Sequence, residues 1–147
     1  MQLKNKISAV FMTALLATSG TAFSETHQTK LISSFPSSGT TFAPSDLMQL
    51  RLEDARNAAL VVINGRTSTA RNSAADEILA LKRALSARKY IIENYGVSPL
   101  KIQLNFVSAS DFITENYSDR GRLENQRVEI VMHFVQPKSQ AIHKESL

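Results

Sequence analysis

Among its 147 residues the chain has no cysteine. That excludes a disulfide scaffold, a cysteine-ligated zinc or iron–sulfur site, a thiol nucleophile and a lipid anchor on an N-terminal cysteine. Histidine is scarce: His27, His133 and His143 stand far apart, and no His-Glu-x-x-His run occurs. Little material is left for a metal enzyme. There is no Gly-x-Ser-x-Gly elbow, no phosphate-binding loop and no Gly-x-Gly-x-x-Gly turn. Neither an enzyme activity nor a cofactor is expected. What remains, 43% hydrophobic and 20% charged residues, fits one soluble globular domain.

Long apolar runs are also missing, with one exception at the start. Lys4 and Lys6 precede the almost wholly apolar residues 7–17, and small and polar residues follow, ending in Ala22-Phe23-Ser24. This is the order of a secretory signal, and the run is too short to span a bilayer of ~30 Å. Cleavage is expected after Ser24, with Ala22 the alternative. Removing residues 1–24 takes two lysines and no acid, so the chain's +4 becomes +2. So small a charge gives little basis for a nucleic-acid partner. The expected organisation is a signal peptide (1–24), one domain (25–136) and a polar tail (137–147). The mature chain is expected to carry neither a transmembrane span nor a lipid anchor.

Within the domain, residues 30–35 alternate loosely as a strand, ended by Pro36-Ser-Ser-Gly39. Ser45 and Asp46 are N-cap types, and Leu47, Leu50 and Leu52 mark a short helix ending near Arg56 or Asn57. Residues 59–64 are apolar and β-branched, suiting a buried strand that Gly65 closes. Asn72 and Ser73 then cap the strongest helix. Ile78, Leu81, Leu85, Ile92 and Tyr95 line one stripe of it, with Ala84 and Ile91 beside them. Gly96 supplies its left-handed end, and Pro99 blocks continuation. Residues 101–107 alternate as a half-buried strand, 108–121 form a polar connection, 122–127 open helically, and 128–135 are the last strand. Strands alternating with helices predict an α+β or α/β sandwich, with the helices on one sheet face.

Three segments stand out. Val61-Val-Ile-Asn-Gly65-Arg-Thr67-Ser68 is a strand ending in a polar loop; Asp76-Glu-Ile-Leu79-Ala80-Leu-Lys-Arg83-Ala84 lies on the long helix; Gly121-Arg122-Leu-Glu-Asn125-Gln-Arg127-Val128-Glu129 leads into the last strand. Together they resemble the OmpA-like domain, the peptidoglycan-binding module of outer-membrane proteins, peptidoglycan-associated lipoproteins and flagellar stators. The family pattern is a strand ending Gly-His-Thr-Asp, a helix with Asn-x-x-Leu-Ser-x-x-Arg-Ala, and Gly-Arg-x-x-Asn-x-Arg-Val-Glu. The resemblance runs from about Lys30 to Val135. It implies an α+β, βαβαβ-β two-layer sandwich with helices on one face of a small mixed sheet, placed in the periplasm and associated with the cell wall or an outer-membrane complex.

It also implies a ligand: a diaminopimelate residue of the peptidoglycan stem peptide. In the family the loop Asp holds its ammonium and the helix Arg its carboxylate. A zwitterion needs one anion and one bidentate cation close together. Carried over, the Arg is Arg83, the Thr is Thr67, and Asn125, Arg122 and Arg127 match the last segment. The family His is Arg66, the helix Asn is Asp76, and the loop Asp is Ser68. Serine supplies a neutral hydrogen bond where the family has a charge-assisted one, roughly twice as strong. Asp76 has two readings, an anion that restores the lost charge or a plain helix cap. Arg122 and Arg127 likewise either bind ligand or hold their loop by pairing with Glu124 or Asp119.

Two functions follow from the resemblance. The first is an exported, non-enzymatic module that binds peptidoglycan with reduced strength. The alternative is a degenerate domain that contacts envelope proteins in a secretion or conjugation machine, which the change at Ser68 favours. The export step is checked first: mass spectrometry of periplasmic protein is expected to show a mature N-terminus at Glu25 or Phe23, whereas an intact Met1 in the cytosol would refute it.

Overall fold

The computed structural model describes residues 26–70, 73–107 and 111–136. The signal segment, Asn72 and the tail at 137–147 lie outside the described residues. The order is β1 (Thr26–Ser34), α1 (Asp46–Leu52), a 3-10 turn (Glu53–Asn57), β2 (Leu60–Arg66), α2 (Ala74–Tyr95), a second 3-10 turn (Pro99–Lys101), β3 (Ile102–Val107), α3 (Asp119–Asn125) and β4 (Arg127–Val135). The strands form one mixed sheet in the order β1-β4-β2-β3. β4 runs antiparallel to both neighbours, and β2 pairs parallel with β3 across the α2 connection. The α+β sandwich is therefore the architecture of this chain.

Period-two alternation divides the central strands. Val61 and Ile63 of β2 and Val128, Ile130 and Met132 of β4 are buried in the core. Met48 and Leu52 of α1, Ala84, Ala87 and Ile91 of α2, and Phe35 and Phe42 complete it. Asn64 and Arg66 of β2, and Arg127 and Glu129 of β4, alternate with these and lie on the other face.

Both helices turn a different face inward from the one the large apolar residues predict. On α2 the buried positions are Ala80, Arg83, Ala84, Ala87 and Ile91. Leu81 and Ile92 are only partly buried, while Ile78 and Leu85 are 52% and 43% exposed. On α1 the buried pair is Met48 and Leu52, and Leu47 and Leu50 are exposed. The reason on α2 is distance. Gly65 lies inside β2, which runs on to Arg66 rather than closing at the glycine. A Cβ added there would stand 2.0 Å from the Ala80 carbonyl oxygen and 3.2 Å from the Ala84 Cβ. A helix this close to a strand has room for alanines, and its leucines turn outward.

The helix ends follow their local chemistry. Ser45 and Ser73 are N-caps whose hydroxyls accept from Met48 N and Asp76 N, and Gly96 ends α2 at φ 65°. α3 starts at Asp119, earlier than the expected 122, because Ser118 caps it by accepting from Gly121 N.

These contacts set an expectation for stability. Gly65→Ala should lower the unfolding free energy by ~1–3 kcal/mol, because the methyl group meets fixed helix backbone. Leu85→Ala should change it by less than about 1 kcal/mol, as at other open surface sites. Urea unfolding of both variants checks the pair, and the reverse ranking would refute this packing.

Candidate functional site

A pocket of about 150 Å³ opens beyond the C-terminal end of β2. Ser37, Ser38, Thr67, Ser68, Thr69, Asp76, Leu79, Arg83 and Gln126 line it. Four residues expected from the sequence, Thr67, Ser68, Asp76 and Arg83, thus meet at one place.

Arg83 is fully buried. Its Nε donates to the Gly39 carbonyl at 2.9 Å, Nη1 to the Arg66 carbonyl at 2.9 Å and Nη2 to the Pro36 carbonyl at 3.4 Å. The guanidinium also lies 5.3 Å from the centre of the Phe35 ring. Burial pushes its pKa down to about 10, with the charge of Asp76 pulling the other way, so it stays protonated at neutral pH. A guanidinium carries five N–H donors, and these bonds use three. One donor on each terminal nitrogen is left, the fork that suits a carboxylate.

Asp76 supplies the opposite charge. Its Oδ1 accepts from Thr69 Oγ1 at 3.0 Å and its Oδ2 from Ser73 Oγ at 2.5 Å. Asp76 N in turn donates to Ser73 Oγ at 3.1 Å, the N-cap bond that starts α2. Both readings of Asp76 therefore meet in one side chain: it holds the N-cap serine of α2 and it lines the pocket.

Ser68 is held from two sides. Its carbonyl accepts from Asn116 Nδ2 at 2.6 Å, and its hydroxyl accepts from Gln126 Nε2 at 3.1 Å. Asn125 stands one step behind. It is fully buried, its Nδ2 donates to Asn116 Oδ1 at 3.1 Å, and its Oδ1 accepts from the backbone of Ile113 and Thr114. Its place is beneath the pocket wall, as a positioning residue for Asn116 and through it Ser68.

Arg127 and Arg122 do not line the pocket. Arg127 lies on the opposite sheet face, wholly buried, with Nε and Nη2 donating to Glu129 Oε1 at 2.9 and 2.6 Å. Lys30 joins the same carboxylate at 2.9 Å. Burial pushes Glu129 up, but the bonds from Lys30 and Arg127 outweigh it and hold it below 4.5. Arg66, in the place of the family His, pairs with Asp111 at 2.6 Å, and that bond holds Asp111 below 3.8. Arg122 pairs with Asp119 and donates to the Tyr117 carbonyl at 2.8 Å. It lines a neighbouring groove of about 350 Å³ that shares Ser37 and Gln126 with the pocket. Gly121 is needed at its turn, since a Cβ there would meet the Glu115 carbonyl at 2.0 Å.

The model of the OmpA family matches residues 37–126, more than half of the chain. This chain belongs to the OmpA family. Solved structures agree on the fold. The OmpA-like domain of FopA1 from Francisella tularensis is similar at 19% identity and TM-score 0.57, over 81% of each chain. The cell wall anchor of the type VI secretion system from Pseudomonas aeruginosa is 20% identical at TM-score 0.56, over 74% of this chain and 82% of that one. The peptidoglycan-associated lipoprotein of Burkholderia pseudomallei is 16% identical at TM-score 0.56, over 71% and 88%. Comparison with curated proteins finds no significant match.

Four polar pocket-lining side chains of this OmpA-family chain were missed in the sequence, Ser37, Ser38, Thr69 and Gln126, as was Asn116 behind Ser68. Gln126 sits between Asn125 and Arg127, where α3 ends and β4 begins, so no periodic signal in the sequence assigned its face. Asn116 belongs to the polar connection and carried none.

The role of Arg83 in the fold can be measured apart from any ligand. Arg83→Ala should lower stability by at least about 2 kcal/mol, because it strips three carbonyls of their donor. Amide exchange should accelerate in residues 36–39 before the rest of the domain, and unchanged exchange there would refute the clamp.

Proposed function

We propose that this OmpA-family chain is a non-enzymatic, periplasmic module that binds peptidoglycan through the free end of a diaminopimelate residue in the stem peptide. One observation carries the reading: a protonated Arg83 and the Asp76 carboxylate line the same small pocket. That pairing matches the carboxylate and ammonium of a zwitterionic amino-acid head. The family pattern supports it at Arg83 and Thr67. In this reading Asn125 and Arg127 act as framework, and Arg122 borders the path of the peptide beyond the pocket.

A second reading has its own support. Ser68 occupies the family's acidic position and its hydroxyl is engaged by Gln126. A pocket weakened in this way suits a domain whose partner is an envelope protein. Among the described residues no helix is long and apolar enough to cross a membrane.

Pull-down with purified sacculi separates the two. Wild type should bind, Arg83→Lys should lose most binding, and Ser68→Asp should gain roughly tenfold, the scale of adding one charge-assisted bond. Asp76→Asn should weaken binding while leaving the helix capped. If wild type fails to bind and Ser68→Asp binds, the protein-contact reading takes over. If none binds, the peptidoglycan reading falls.

A further inference from the structure

One buried polar atom of a pocket-lining residue has nothing to bond. Gln126 Oε1 is shut off from solvent and has no hydrogen-bond partner among the described residues. Such atoms are rare in native proteins and call for a cause. Here the other half of the same amide is engaged, with Nε2 donating to Ser68 Oγ at 3.1 Å. The backbone of Gln126 is fixed independently: its N–H donates to the Arg122 carbonyl at 3.0 Å and its carbonyl accepts from Phe35 N at 2.6 Å. The side chain thus contributes one bond to the fold and carries an unused acceptor on a residue that lines the pocket.

We propose that Gln126 is a ligand-binding, specificity-determining residue, whose Oε1 accepts a hydrogen bond from the ligand's ammonium in place of the acid absent at Ser68. The inference rests on the peptidoglycan reading above and deepens it. An ammonium carries three N–H donors and is satisfied by three acceptors. The pocket offers the Asp76 carboxylate, the Ser68 hydroxyl and the Gln126 amide oxygen, one charged and two neutral. The terminal amide torsion of glutamine is soft, so the amide turns without moving the backbone, exchanging the Nε2 bond to Ser68 for an Oε1 bond to the ammonium and freeing the Ser68 hydroxyl to accept as well. At about 150 Å³ the space is some five times the ~30 Å³ share of one liquid water, room for the head of an amino acid. A ligand without the ammonium would leave Oε1 orphaned, and this is how a neutral group enforces selectivity.

The test uses the mature protein and two synthetic peptides, one ending in meso-diaminopimelate and one ending in 2-aminopimelate, which keeps the distal carboxylate and lacks the distal ammonium. Calorimetric titration of wild type should favour the first peptide. Gln126→Leu should weaken that peptide about tenfold, the loss of one bond to a charged group, and leave the second within about twofold. Gln126→Glu should strengthen the first and weaken the second. The second peptide is the control for folding, since a damaged pocket would weaken both. Equal losses for both peptides in Gln126→Leu, or no change in their ratio, would overturn the role of Gln126 and leave the peptidoglycan reading standing. If wild type binds neither peptide, both fall together.

Discussion

The clamp that Arg83 makes on three carbonyls organises both the fold and the pocket. A buried guanidinium is costly to remove from water, and here neutral carbonyls from two separate segments receive it. Pro36 and Gly39 lie in the turn after β1, and Arg66 ends β2. One side chain therefore ties the turn, the sheet and α2 together. The same bonds leave two of its donors unused at the pocket wall. Burial that would be a liability in an ordinary core makes the site pre-organised, because the guanidinium is already desolvated and oriented.

Close approach makes the clamp possible. Gly65 lets α2 settle on β2, and Ala80 and Ala84 keep the helix there. One turn of helix then carries Arg83 to the end of the strand and leaves Asp76 at the helix N-terminus beside Thr69. The cap that starts α2, Ser73, and the anion of the pocket, Asp76, are bonded to each other. The chain needs no separate acid at Ser68 to place a negative charge here, and the neutral pair Ser68–Gln126 fills the remaining wall.

On the opposite sheet face a second set of charges works differently. Arg127, Glu129 and Lys30, with Arg66 and Asp111 beside them, pair at short range, three cations sharing two carboxylates. Their part in the family's last segment is structural: Arg127 and Glu129 are two apart on one strand, hence on one face, and pair across it. The run thus splits at the junction of α3 and β4, with Gln126 going to the pocket and Arg127 to the sheet.

The sequence alone determined the elements and most of their order, because N-caps, the glycine end of α2 and β-branched runs are local signals carried by neighbouring residues. It also carried the Arg83, Thr67 and Ser68 spacing, which helix and loop lengths preserve. It did not determine which face of α2 is buried. Large apolar residues dominate a periodicity count, yet Gly65 brings the helix so near that only alanines fit, and that contact joins residues far apart in the chain. Nor did it separate pocket from framework among Asn125, Gln126 and Arg127. Three adjacent residues at a helix-to-strand junction point in different directions, and only the packing of α3, β4 and the loop after β2 decides which of them meets a ligand.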